Sequence, residues 1–247
     1  MERIPSPSLP VNESLLIPTS IPSLIDHTLL RPDAAESDVA RLCQEARDFG
    51  FMSVCVNPCW VPFAVKALRD GSSRVCTVVG FPLGANQPEI KLAEARQALE
   101  DGAAELDMVL NVGALRSGFH ARVRDEIAVL AEAAHGEGAI LKVILETCLL
   151  TRDEKLAACE AAVEAQADFV KTSTGFSTAG ATVDDVQLMR EAVGSSMGVK
   201  ASGGVRTWAA LQEMIRAGAN RIGTSSGVNI LREIRQASLM PSREDTY

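Results

Sequence analysis

The chain has 247 residues, with 24 lysines and arginines against 32 aspartates and glutamates, for a net charge of −8. That length suits one large domain with a substantial core, and the acidic balance argues against a general nucleic-acid footprint while leaving room for a local cationic pocket. No apolar run reaches the roughly 18 residues that a membrane-spanning helix needs, so a cytoplasmic protein with no membrane or nucleic-acid partner is expected.

Six cysteines (Cys43, Cys55, Cys59, Cys76, Cys148 and Cys159) form no C-x-x-C pair, and most stand inside apolar periodic segments. They read as buried thiols of a reducing compartment. Three histidines, widely separated in sequence, give no zinc site of ordinary spacing. Residues 1–22 hold five prolines and several serines with no basic-then-apolar pattern; a poorly ordered or surface-lying extension is expected there.

From residue 21 onward one unit recurs: a short apolar strand, a polar loop, a helical segment and a glycine exit. Strands are predicted at 23–28, 52–56, 75–81, 105–111, 141–147, 168–174, 199–202 and 221–226. The first helix is marked by Val39, Leu42, Cys43, Ala46 and Phe49 at helical spacing, with Gly50 placed to end it. A short helix runs through Val65 and Leu68, and a third opens at Pro88 and closes at Asp101-Gly102. A longer one carries Val123, Ile127, Leu130 and Ala134, and the next begins with a capping-box pattern, Thr151-Arg152-Asp153-Glu154. Val183, Val186 and Met189 mark another, Trp208, Leu211, Met214 and Ile215 one that Gly218 ends, and a last helix follows Gly227.

Each parallel strand needs a crossover before the next, so this recurrence calls for a parallel α/β fold. Eight units match a single-domain (β/α)8 TIM barrel, which typically takes about 250 residues; the barrel is assigned to 23–238 and a tail to 239–247. An open doubly wound sheet is the competing arrangement. It would carry a glycine-rich phosphate fingerprint after its first strand, and Asp26-His27-Thr28-Leu29-Leu30 is not one.

Only six of the 24 basic residues are lysines, yet Lys142, Lys171 and Lys200 all fall inside strand-like segments. Lysine used where arginine is otherwise preferred suggests a nitrogen that must lose its proton. In a barrel, Asp26, Asp107, Lys142, Lys171 and Lys200 converge near the carboxyl ends of their strands. For Lys142, a buried salt bridge that fixes strand register is an equal reading. Two ammonium groups about 6 Å apart repel by ~3 kcal/mol at an effective dielectric near 20, which pushes one amine toward its neutral, nucleophilic form. Schiff-base chemistry requires that form, and Asp107 is then suited to proton transfer. Thr174-Gly175, Ser202-Gly203-Gly204 and Thr224-Ser225-Ser226-Gly227 end three adjacent strands with small residues, a habitual phosphate site of such barrels. Arg206 lies close enough to add charge, or is an exposed helix-start arginine.

At these residues the sequence closely resembles the deoxyribose-phosphate aldolase family of class I aldolases. The resemblance spans about Ile25 to Ser226 and rests on Asp26-His27-Thr28-Leu29, Ser53-Val54-Cys55-Val56-Asn57-Pro58, Gly80-Phe81-Pro82-Leu83-Gly84, Glu105-Leu106-Asp107-Met108-Val109, Leu141-Lys142-Val143-Ile144-Leu145-Glu146-Thr147, Val170-Lys171-Thr172-Ser173-Thr174-Gly175-Phe176 and Val199-Lys200-Ala201-Ser202-Gly203-Gly204-Val205-Arg206. It implies that Lys171 forms the imine, Lys200 tunes it and Asp107 relays protons. It also implies that a substrate phosphate rests on Gly175, Gly203, Gly204, Ser225 and Ser226, and that Asp26, Thr28, Cys55, Lys142 and Thr172 line or buttress the pocket. Some members end in a tyrosine that helps proton transfer from a mobile tail, as Tyr247 would here; a solvated tail is the other reading.

The expected reaction is reversible cleavage of 2-deoxy-D-ribose 5-phosphate to D-glyceraldehyde 3-phosphate and acetaldehyde. No metal or cofactor is implied, because the cationic imine supplies the electron sink. The alternatives are a lysine-dependent barrel aldolase for another phosphorylated sugar and a non-catalytic sugar-phosphate-binding barrel. Apolar side chains on outer helices are compatible with a homodimer.

Overall fold

The computed structural model describes residues 21–239. The expected extension lies outside them apart from residues 21 and 22, and so does the chain from 240 on, Tyr247 included. Ile21 is fully buried and Pro22–Leu24 forms a 3-10 turn, so barrel packing begins before residue 23.

Eight strands alternate with helices: β1 (Ile25–Leu29), β2 (Ser53–Val56), β3 (Arg74–Val79), β4 (Glu105–Val109), β5 (Ile140–Ile144), β6 (Phe169–Lys171), β7 (Gly198–Ser202) and β8 (Arg221–Thr224). All pair in parallel with their sequence neighbours, and β8 closes on β1. Closure rules out the open doubly wound sheet. Around the strands lie α1 (Glu36–Phe49), α2 (Val61–Leu68), α3 (Pro88–Glu100), α4 (Val112–Arg116), α5 (His120–Gly136), α6 (Arg152–Glu164), α7 (Val183–Val193), α8 (Trp208–Arg216) and α9 (Gly227–Leu239).

Local chemistry explains most helix ends. Gly50 adopts a left-handed conformation (φ 70°) and its N–H returns to the Ala46 carbonyl, closing α1 as the sequence predicts. Thr151 and Glu154 form the expected capping box at the start of α6. The short helix α4 was not anticipated: Asn111 leaves the predicted strand and its side chain caps α4 by accepting from the Ala114 N–H at 2.9 Å. β6 also stops early, because the Thr174 N–H turns to the Glu146 carboxylate instead of a neighbouring strand.

The outward strand faces build the apolar core. Val54, Leu106, Met108, Leu141, Val143, Val170, Val199 and Ile222 are wholly buried beneath the helices, each worth roughly 1.5–3 kcal/mol of burial. The inward face departs from the usual layers of branched apolar side chains. Leu30, Cys55, Cys76 and Val78 form only a small cluster there, and charged groups fill much of the rest. No helix among the described residues is long and apolar enough to cross a membrane.

One glycine in the Gly80-Phe81-Pro82-Leu83-Gly84 turn is set by close approach. Gly84 has φ 65°, and an added Cβ would stand 2.1 Å from the Leu110 carbonyl oxygen. Gly50 has nearly the same φ but open space around it. Replacing each by alanine separates strain from collision: Gly50→Ala should cost about 1 kcal/mol, and Gly84→Ala at least ~2 kcal/mol more. Denaturant midpoints of the two variants check this, and equal losses would remove the steric explanation.

Candidate active site

Strand register delivers the charged groups to one level of the barrel interior. Lys171 on β6 pairs with Lys200 on β7, and Asp107 on β4 with Lys142 on β5. Asp107 is the hub. Its Oδ2 accepts from Lys171 Nζ and from Lys200 Nζ, both at 2.7 Å, and its Oδ1 accepts from Lys142 Nζ at 2.8 Å. The Lys171 and Lys200 nitrogens therefore lie no farther apart than twice that shared bond length.

Lys200 also contacts Asp26 Oδ2 at 2.5 Å, and Lys142 contacts Glu105 Oε2 at 2.6 Å. Arg221 completes the network, with Nη1 2.6 Å from Asp26 Oδ1 and 3.0 Å from Glu105 Oε2. Asp26, Glu105, Asp107, Lys142 and Lys200 are wholly buried. Charges so far from water persist only when paired and hydrogen-bonded.

The pKa directions follow from this pairing. Burial opposes the Asp107 charge, but Lys142, Lys171 and Lys200 outweigh it and hold the carboxyl well below its ordinary range. Burial likewise opposes the charge on Lys200, yet Asp107 and Asp26 raise its pKa above the usual lysine value. Lys142 is raised in the same way, against burial, chiefly by Asp107, Cys76 and Glu105. The picture of two isolated ammonium groups repelling each other is thus incomplete. A carboxylate oxygen stands between them, and Lys200 is a firmly held cation.

Above this network lies a cleft of about 300 Å³, with Lys171 as its only lysine. Of the predicted site residues, the cleft is lined by Thr28, Lys171, Gly175, Gly203, Gly204 and Ser225. Asp107, Lys200, Lys142, Asp26 and Cys55 sit under its floor instead. Two residues fall outside it. Thr172 is buried and braces β6 to β7, its hydroxyl donating to the Ser202 carbonyl and accepting from the Ser202 N–H. Ser226 is drawn into the start of α9, donating its N–H to Thr224 Oγ1 while its carbonyl accepts from Ile230.

Gly175, Gly203 and Gly204 all have φ near 85°, a conformation that L side chains resist. The loop bearing Gly175 is pinned from β5: the Glu146 carboxylate accepts from both the N–H and the hydroxyl of Thr174. Glu146 is itself left-handed at φ 56° and buried.

Sequence reasoning missed Arg31 and Phe176 as cleft residues, and Glu105, Arg221 and Cys76 as network members; Ser202, read with the small-residue turns, lines the cleft as well. Ser202 Oγ is buried without a hydrogen-bond partner among the described residues. Arg221 is a charged residue inside a strand, the same signal that singled out the lysines, and Glu105 shares a face with Asp107 by strand alternation.

Cys55, Cys76 and Asp107 each offer one ligand atom within 4.8 Å of the others, a geometry that suits a cation. The protein's own Lys142 ammonium occupies that role, 3.3 Å from Cys76 Sγ and 2.8 Å from Asp107 Oδ1. A hydrogen bond from Cys76 lowers the Cys55 pKa, and burial raises that of Cys76.

Residues 21–237 match the DeoC/LacD family aldolase model. The chain is 60% identical over 207 residues to a deoxyribose-phosphate aldolase of Brevibacillus brevis, covering 84% of this chain and 93% of that one. It is 56% identical over 212 residues to the enzyme of that name from Geobacillus sp., covering 86% and 95%. The solved tetrameric deoxyribose phosphate aldolase from Aeropyrum pernix superposes with a TM-score of 0.84 at 37% identity, over 90% of this chain and 93% of that one. With the barrel, the cleft that holds Lys171 and these relatives in agreement, the chain belongs to the DeoC/LacD family of aldolases.

Proposed function

We propose that the protein is a deoxyribose-phosphate aldolase, cleaving 2-deoxy-D-ribose 5-phosphate reversibly to D-glyceraldehyde 3-phosphate and acetaldehyde through a Schiff base on Lys171. The supporting observation is that Lys171 is the cleft's only lysine and shares one carboxylate oxygen, 2.7 Å away, with Lys200. Among the described residues the buried part of the network holds four cationic side chains and three carboxylates, so losing one proton brings those buried charges to balance. Lys171 has a single carboxylate contact where the other three cations have at least two. It is the cation held by the fewest carboxylates.

The neutral Lys171 amine attacks the aldehyde carbon of the ring-opened sugar. The proton leaving its nitrogen passes through Asp107 Oδ2, and the carbinolamine oxygen departs as water once protonated. In the resulting iminium, the bond between C2 and C3 breaks as the C3 hydroxyl gives up its proton. The bonding electrons move toward nitrogen, and glyceraldehyde 3-phosphate is released. The remaining enamine takes a proton at its terminal carbon and is hydrolysed to acetaldehyde and free Lys171. Lys200, kept charged by Asp26 and Asp107, stabilises the bridging carboxylate throughout.

The left-handed glycines 175, 203 and 204, with Ser225 and Arg206 at the rim, suit a dianionic phosphate. Ser202 Oγ offers its unused hydrogen bond to a sugar hydroxyl. The free cysteines, four of them buried, agree with a cytoplasmic setting. Exposed Ile90 and Val129 on α3 and α5 offer apolar contacts to a second copy. Among family members, an enzyme for another phosphorylated sugar is distinguished by failing to use acetaldehyde as donor in the synthetic direction.

Borohydride added with substrate should leave a reduced two-carbon adduct on Lys171, and Lys171→Leu should lose that adduct together with about 10³-fold or more of the activity. Mass spectrometry of the trapped protein reads both residue and fragment; undiminished labelling in Lys171→Leu would refute the assignment. For the phosphate, Gly204→Ala adds no collision, since nothing lies within 4 Å of the new Cβ, but strains the loop. It should raise KM for the phosphorylated sugar by about tenfold and leave unphosphorylated deoxyribose unaffected. Equal effects on both substrates would move the phosphate elsewhere.

A further inference from the structure

We propose that Glu105 and Arg221, which lie outside the cleft, are positioning residues whose charges set the pH at which the Lys171 amine becomes available for attack. This rests on the reading of Lys171 as the nucleophile. Both residues open their strands, Glu105 on β4 ahead of Asp107 and Arg221 on β8 in register with Lys200. Arg221 Nη1 reaches Glu105 Oε2 at 3.0 Å and Asp26 Oδ1 at 2.6 Å, and Glu105 Oε2 meets Lys142 at 2.6 Å. Asp26 leads on to Lys200, and Lys142 to Asp107. Two unbroken chains of contacts thus run from this pair to the carboxylate that holds Lys171.

An aromatic ring packs against the arginine of this pair. The Arg221 guanidinium stacks 5.3 Å from the centre of the Phe169 ring, and that ring fills the space where a side chain at Gly198 would project, 2.1 Å from its Cβ position. Glu105 is wholly buried and Arg221 is 6% exposed, so their fields are not screened by water. The groups facing the network from the other strands are Asp26 on β1, Cys55 on β2, Cys76 on β3, Asp107 on β4, Lys142 on β5, Lys171 on β6 and Lys200 on β7. Arg74, 3.7 Å from Glu105, is 54% exposed and contributes through solvent.

Glu105, three contacts from the nucleophile, and Arg221, four contacts from it, act on it by charge and not by touch. Removing the Glu105 charge leaves the network more positive and favours the neutral amine; removing the Arg221 charge does the reverse. The direction is the same whether the Cys55 sulfur is a thiol or a thiolate, because it depends only on the charge taken away. A role confined to packing would weaken the protein in both variants without moving the pH dependence in opposite senses.

The test is the pH dependence of kcat/KM for cleavage, measured on wild type, Glu105→Gln, Arg221→Met and the double variant. The acid limb should move about one pH unit down in Glu105→Gln, about one unit up in Arg221→Met, and return to the wild-type position in the double variant, which conserves net charge. Limbs that stay fixed, or move the same way in both single variants, overturn the proposal. Should Arg221→Met fail to fold, Glu105→Gln carries the test with Arg221→Lys as the charge-conserving control, whose limb stays at the wild-type position. Borohydride trapping on the wild type separates the two levels of inference: an adduct at Lys171 with unmoved limbs defeats this proposal alone, whereas no adduct at Lys171 defeats the reading beneath it as well.

Discussion

Everything in the interior is arranged around one carboxylate. Asp107, itself wholly buried, accepts hydrogen bonds from three lysines on three successive strands. Breaking a buried ion pair by deleting one partner typically costs 3–5 kcal/mol, whereas a well-packed apolar replacement of the whole set is often neutral or stabilising. A charged interior is therefore not the most economical way to fill a barrel. Its retention across β1 and β4 to β8 makes sense as chemistry: the closed sheet supplies the water-poor setting in which a small imbalance of charge acts strongly on one amine.

Two levels of the barrel divide the work. The lower level, from Glu105 and Arg221 up to Asp26 and Lys142, touches only protein and fixes where the carboxylates stand. The upper level is the cleft, where Lys171 meets loops rich in left-handed glycine. Glu146 ties the levels together, since its backbone leaves β5 in a strained conformation and its carboxylate grips the turn that carries Gly175. The Lys171 nitrogen and the glycine loops of the cleft are thereby held to a common frame.

Much of the fold was legible. Gly50, Pro88 and the Thr151–Glu154 capping box ended or began helices as read, because capping depends on a few neighbouring atoms. Strand ends were less legible. Asn111 and Thr174 continue a strand-like pattern but give their hydrogen bonds to a helix cap and to a distant carboxylate, and no local propensity encodes either partner. Thr172 was expected in the pocket from the family resemblance; strand alternation turns it the other way, into the seam between β6 and β7.

The amino-acid sequence by itself determined the eight-unit alternation, the identity of the chemically unusual lysines and the small-residue turns beside them. Each is a local property: a period, a rare residue in an apolar run, a glycine where the chain must bend. Which lysine opens to the cleft, and which are locked below it, was decided only by closure of the sheet. The Lys200 nitrogen is held by carboxylates 93 and 174 residues distant in the chain, so its charge state belongs to strand register and barrel geometry and not to its neighbours in sequence. Electrostatic energy depends on separation in space, and only the folded barrel sets those separations.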